Sequence, residues 1–122
     1  MLKKISTKTI FIKIILISFL LISCSVTNND DKKKISPDVQ IYKKALLLIE
    51  QKNYKDASAE FENLLLNYPF SNLALKSEIT SAYSLYQDNQ IQKAINKLNY
   101  FIEMNPRGEL TMYAHYLLGM CL

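Results

Sequence analysis

The chain has 122 residues, a formal charge of +4 and a sequence pI near 9.0. That length fits one domain and leaves no room for a two-domain enzyme with its site between domains. Two cysteines exclude a disulfide-rich scaffold, two glycines leave no phosphate-cradling loop, and 49% hydrophobic residues exclude overall disorder. The positive charge invites a nucleic-acid partner, so its location along the chain matters.

Lys3, Lys4, Lys8 and Lys13 precede or interrupt an apolar run that continues from Ile14 through Ile22, and no acid occurs before Asp30. A basic start, an apolar stretch and then small residues are the layout of a secretory signal over residues 1–23. A membrane-spanning helix needs about 20 apolar residues, and this stretch reaches that length only by counting across Lys13. Leu21-Ile22-Ser23-Cys24 resembles the bacterial lipobox. The resemblance implies a covalent lipid on Cys24, cleavage before it, and acylation of the new amino terminus. Several acyl chains make a stable membrane anchor where one is marginal. Ser25 follows the cysteine where lipoproteins retained at the inner membrane often carry Asp; by the same resemblance this favours the outer membrane, with the protein on its periplasmic face. Cys121 is then the only free thiol, and its apolar surroundings from Leu117 to Leu122 read as those of a buried, inert one.

The charge can now be placed. Residues 1–23 hold four lysines and no acid, and beyond them eleven basic residues face eleven acidic ones. The cleaved chain is formally neutral, and the nucleic-acid reading loses its charge.

Residues 24–36 read as a lipidated flexible tether, since Asn28 to Lys34 contains no apolar residue. Ser36-Pro37-Asp38 supplies a helix start: Ser at the N-cap, Pro at the first helical position and an acid in the first turn. From Asp38 onward apolar residues recur at helical spacing. The pattern predicts helices near 38–51, 54–67, 72–88, 91–104 and 110–122, with short connections that force neighbours to pack antiparallel.

Sliding the sequence by 37 residues brings Ala45 onto Ala82, Ala57 onto Ala94, Tyr54 onto Ile91, Phe61 onto Leu98, and Pro69 onto Pro106. The same step carries Ala82 onto Gly119. Small residues recur where helices approach, large ones fill gaps, and a proline closes each unit. This resembles the tetratricopeptide repeat, whose period is about 34 residues, so each unit carries three extra, expected between repeats. The fold class is all-α: a tetratricopeptide-like helical-hairpin superhelix with units at 37–71 and 72–108 and an incomplete third at 109–122.

In such a superhelix the first helix of each unit lines the concave face. That places Val39, Tyr42, Leu46 and Ile49 toward a groove, with Ile79, Tyr83 and Tyr86 from unit two and Tyr113, Tyr116 and Met120 from unit three. Tyr42, Tyr83, Tyr86, Tyr113 and Tyr116 are five of the eight tyrosines. Each ring could instead pack between adjacent helices. As a set they form a candidate peptide-binding groove, because a phenol offers a wide apolar face with a polar tip.

Catalytic chemistry has little to draw on. His115 is the only histidine, so no metal cluster or acid–base pair forms around it. Glu60 and Glu62 lie two apart on a helix and point to different faces. We expect no enzyme, no catalytic residue, no metal and no cofactor beyond the lipid on Cys24.

Tyr68-Pro69-Phe70-Ser71, Ala82-Tyr83-Ser84-Leu85-Tyr86, Phe101-Ile102 with Pro106, and Tyr113-Ala114-His115-Tyr116-Leu117-Leu118-Gly119 occur in that order after the lipobox and tether. In this the chain resembles the BamD family of outer-membrane protein assembly lipoproteins. The resemblance implies a periplasmic scaffold that docks on BamA, the barrel-forming insertase, and on other subunits of the assembly machinery. It also implies that the amino-terminal repeats recognise segments of unfolded outer-membrane proteins whose ends are rich in aromatic residues. Family members continue with further repeats, and here the third unit lacks its second helix and a polar cap. The sequence therefore reads as partial, without the later repeats where the family places most docking surfaces. A different class stays open beside this one: a lipoprotein scaffold that organises peptidoglycan enzymes or cell-envelope complexes.

Overall fold

The computed structural model describes residues 35–122. The expected signal segment, Cys24 and nearly all of the tether lie outside the described residues. Five helices follow in order: α1 (Pro37–Glu50), α2 (Tyr54–Asn67), α3 (Ala74–Gln87), α4 (Ile91–Met104) and α5 (Thr111–Cys121). Helices α1 to α4 pair into two antiparallel hairpins, and each helix packs chiefly on its neighbour in the chain. The architecture is the all-α, tetratricopeptide-like one that the sequence predicts.

The 37-residue step is exact at the helix starts: Pro37, Ala74 and Thr111 open three helices, and Tyr54 and Ile91 open the other two. Within each hairpin the connection is three residues, at 51–53 and 88–90; between hairpins it is six, at 68–73 and 105–110. The long turn between hairpins therefore carries the added period.

Both kinds of turn repeat in detail. The short one is a Schellman closure. The Lys52 N–H donates to the Ile49 carbonyl and the Asn53 N–H to the Leu48 carbonyl, at 2.8 Å each. One repeat later Asn89 donates to Tyr86 at 3.1 Å and Gln90 to Leu85 at 2.8 Å. At the long turn, Tyr68 and Asn105 end their helices with φ −135° and −129° and ψ near 55°. Each stands before a proline, whose ring disfavours helical backbone in the residue ahead of it.

Two starts differ from expectation. Helix α3 begins at Ala74 rather than 72, because Ser71 forms a local turn: its hydroxyl accepts from the Leu73 N–H at 3.1 Å, and its carbonyl accepts from the Ala74 N–H at 2.9 Å. Ser36 stands at the N-cap of α1 but makes no side-chain bond to the helix backbone. The Ser71 hydroxyl instead donates to Asp38 at 2.6 Å, joining the start of α1 to the first long turn.

The core comes in two clusters. Ala45, Ala57 and Phe61 close the first hairpin, with Tyr42, Leu48 and Ile49 packed against them. Ile79, Ala82, Leu98, Phe101, Ala114 and Leu117 form the second, which joins α3, α4 and α5. The alanines at 45, 57, 82 and 94 are fully buried, so the helices of each hairpin approach closely where the repeat places a small residue. Phe61 and Leu64 in unit one become Leu98 and Phe101 in unit two, all buried. The aromatic has moved three residues, one turn along α4, and the pair fills about the same volume. Helix α3 presents Ser77, Ser81 and Ser84, all buried, and Ser81 donates to Glu62 on α2 at 2.8 Å. The Gly119 position differs from its repeat equivalents: a Cβ there would meet nothing within 4 Å.

Candidate peptide-binding site

The five tyrosines divide in two. Tyr83, on the carboxyl half of α3, meets the Tyr54 ring edge to face, with centroids 6.4 Å apart and planes at 88°. On α5 the Tyr113 and Tyr116 rings stand 6.2 Å apart, tilted by 32°. Burial pushes the Tyr113 phenol above its ordinary value, and the neighbouring Tyr83 and Tyr116 phenols add to the rise. Of the four groove tyrosines of units two and three, Tyr83, Tyr113 and Tyr116 thus share one neighbourhood, and Tyr54 extends it onto α2. Tyr113 and Tyr116 are exposed, at 44% and 63%, whereas Tyr83 is half-buried.

Tyr42 and Tyr86 are held elsewhere. The Tyr42 ring stands edge-on to Phe61, with centroids 5.6 Å apart, inside the first hairpin. Tyr86 packs against the second core, as Tyr83 also does, without joining the ring contacts of the other three. Ile79, expected to face the groove, is only 4% exposed, because α3 is enclosed by its neighbours and Ile79 joins Ala114 and Leu117 of α5 in the core. Ile49 likewise packs into the first core, while Leu46 and Met120 stand at the exposed margin. Tyr54 was not among the expected groove residues. Its signal lay in the repeat register, where it falls on Ile91 and occupies the first position of a second helix.

The strip that results is aromatic. The raised Tyr113 phenol stays neutral near pH 7 and keeps its O–H as a donor. Such a surface can hold an apolar or aromatic side chain against the ring faces while the hydroxyls meet backbone groups.

Little else marks a reactive centre. Among the described residues no group of three or more His, Cys, Asp or Glu could hold a metal ion. His115 lies exposed on α5. Burial pushes the Cys121 thiol up, away from the thiolate form that reacts. Glu60 and Glu62 point apart: Glu60 meets Lys44 of α1 at 2.5 Å and Glu62 meets Lys97 of α4 at 2.5 Å. No helix among the described residues is long and apolar enough to cross a membrane.

Comparison with known proteins adds the family. Residues 34–122 match the family model YfiO, described as outer membrane lipoprotein. The chain is 29% identical over 104 residues to the outer membrane protein assembly factor BamD of Rickettsia prowazekii, covering 85% of this chain and 41% of that protein. The protein of the same name from Neisseria gonorrhoeae is 29% identical over 104 residues, covering 82% and 39%. That of Neisseria meningitidis serogroup B is 30% identical over 83 residues, covering 68% and 31%. The chain thus spans about two-fifths or less of the length of these curated relatives. With the family model matching residues 34–122, a range that includes all five helices, the chain belongs to the YfiO family of outer membrane lipoproteins.

Proposed function

We propose that the chain acts as a non-catalytic scaffold at the periplasmic face of the outer membrane, assisting the folding and insertion of outer-membrane proteins. The family match over residues 34–122 carries this reading. Lipid on Cys24 anchors it to the membrane, and its partners are BamA, other subunits of the assembly machinery, and unfolded outer-membrane proteins. The strip of Tyr83, Tyr113 and Tyr116, joined by Tyr54, receives aromatic-rich segments of the unfolded chains. Tyr42 and Tyr86 support the first and second hairpins by packing on their cores.

The test is crosslinking in cells from a photoreactive residue at Tyr83, followed by identification of what is caught. Outer-membrane barrels and BamA are expected; peptidoglycan hydrolases or synthases in their place would overturn the reading. In vitro, Tyr83→Ala with Tyr116→Ala weakens binding of an aromatic-ended barrel peptide while helicity stays intact. Unchanged affinity would remove the strip from the mechanism.

A further inference from the structure

A second surface lies at the other end of α3 from Tyr83. There the amino half of α3 forms the floor of a cleft of about 620 Å3, walled by α2 and α4. Leu65, Leu75 and Tyr100 line it together with Glu62, Glu78 and Lys97. Leu75 and Tyr100 remain 48% and 57% exposed, so the apolar rim is open to solvent. The volume falls within the range of sites that hold a few side chains.

Charge in the cleft is unbalanced. Lys97 is engaged by Glu62 at 2.5 Å, and Glu62 also accepts the Ser81 hydroxyl at 2.8 Å. Glu78 is half-buried, and among the described residues it has neither an ion pair nor a side-chain hydrogen bond. Two carboxylates therefore share one lysine, and the negative charge left over lies in the same cleft as Leu65, Leu75 and Tyr100.

We propose that this cleft docks an extended partner segment that carries an arginine or lysine beside an apolar side chain, the cation reaching Glu78 and the apolar group resting on Leu65 and Leu75. The chemistry selects that occupant. A free metal ion would use a carboxylate and leave Leu65 and Leu75 bare. An acidic or phosphorylated segment would meet the surplus negative charge. A purely apolar segment would cover Glu78 without a partner, at the cost of desolvating it. An arginine has an additional fit, since its planar head can stack on the exposed Tyr100 ring while its stem covers Leu75. This surface shares α3 with the tyrosine strip but none of its residues, so the two can be occupied independently. It stands whether or not the strip binds substrate.

The full chain in detergent, titrated with fluorescent, end-blocked octapeptides, tests the proposal. A peptide with Arg-Leu at its centre is expected to bind, and matched peptides with Glu-Leu or Arg-Ser to bind more weakly. Glu78→Gln keeps the shape and removes the charge; it should weaken the Arg-Leu peptide about fivefold, as loss of one partly screened charge contact does. Tyr83→Ala should leave that affinity unchanged. Equal binding of the Glu-Leu peptide, indifference to Glu78→Gln, or absence of binding at millimolar peptide would each overturn it. Circular dichroism of each variant confirms the helices are kept.

Discussion

Lys52 and Asn89, one repeat apart, hold the same left-handed backbone, with φ 59° and 60°. Each closes a Schellman turn at the end of the first helix of a hairpin. A lysine carries a Cβ that this conformation strains, whereas Asn tolerates it better and Gly is indifferent. Lys52→Gly should therefore stabilise the fold by about 0.5–1 kcal/mol, and Asn89→Gly by less. Midpoints of urea unfolding, with the slope unchanged, check the pair.

The serines of α3 give an internal contrast. The Ser77 hydroxyl is buried and has no hydrogen-bond partner, while Ser81 donates to Glu62. An unsatisfied buried hydroxyl costs about 1–3 kcal/mol. Ser77→Ala is thus expected to be neutral or stabilising, and Ser81→Ala to cost about 1 kcal/mol. Thermal unfolding of both variants tests it; equal destabilisation would contradict the assignment of partners.

Two carboxylates make opposite contributions to acid stability. Hydrogen bonds from Ser36 and Ser71 hold the Asp38 carboxyl below its ordinary value. Its contribution is present above the unfolded pKa and lost as pH falls through the lower folded one. Burial pushes the Glu78 carboxyl up, only partly offset by Lys97. In that case the folded state binds the proton more tightly, so stability declines as pH rises from the unfolded value through the folded one. Glu78→Gln should flatten this decline and raise stability at neutral pH by about a few tenths of a kcal/mol, discounted for its partial exposure. Ser71→Ala should move the Asp38 carboxyl back toward its ordinary range, read by carboxyl carbon shifts in an NMR titration.

Core truncation separates the two clusters. Phe61→Ala and Phe101→Ala each empty a fully packed site, and each should cost about 3–5 kcal/mol. Phe61→Leu combined with Leu64→Phe imports the unit-two arrangement into unit one, and it should cost far less than Phe61→Ala. Denaturant unfolding monitored by helicity reads all three variants.

For the anchor, Cys24→Ala should abolish metabolic labelling with fatty acid and shift the protein from the membrane to the soluble fraction. Cys121, by contrast, should react slowly with a thiol reagent at neutral pH until the chain is unfolded.

Much of the fold was legible because the repeat writes each signal twice. Pro69 and Pro106 marked both long turns, the paired alanines marked both close approaches, and helix bounds came within two residues of the pattern. Leu98 stands where unit one has an aromatic, and Phe101, buried one turn later, supplies the ring instead. The tyrosine set was only partly legible. Spacing on one helix places a ring on a face, but which neighbour covers that face depends on the next hairpin. That is why Ile79 lies in the core, Tyr42 leans on Phe61, and Tyr54 joins Tyr83 from another helix. The cleft around Glu78 had no linear signature, since its residues come from three helices and its charge depends on which carboxylate Lys97 chooses.

The order in which the helices touch has a consequence for how the protein is made. Each helix packs mainly on the one before it, and among the described residues the packing of α3 on α5 adds only a slight contact past a neighbour. Among the described residues helix packing rests mainly on neighbours in the chain, so little loop-closure entropy is spent before packing begins. A chain delivered amino end first can close the Ala45–Ala57–Phe61 cluster while α4 is still emerging, and each later helix then finds its docking face already built.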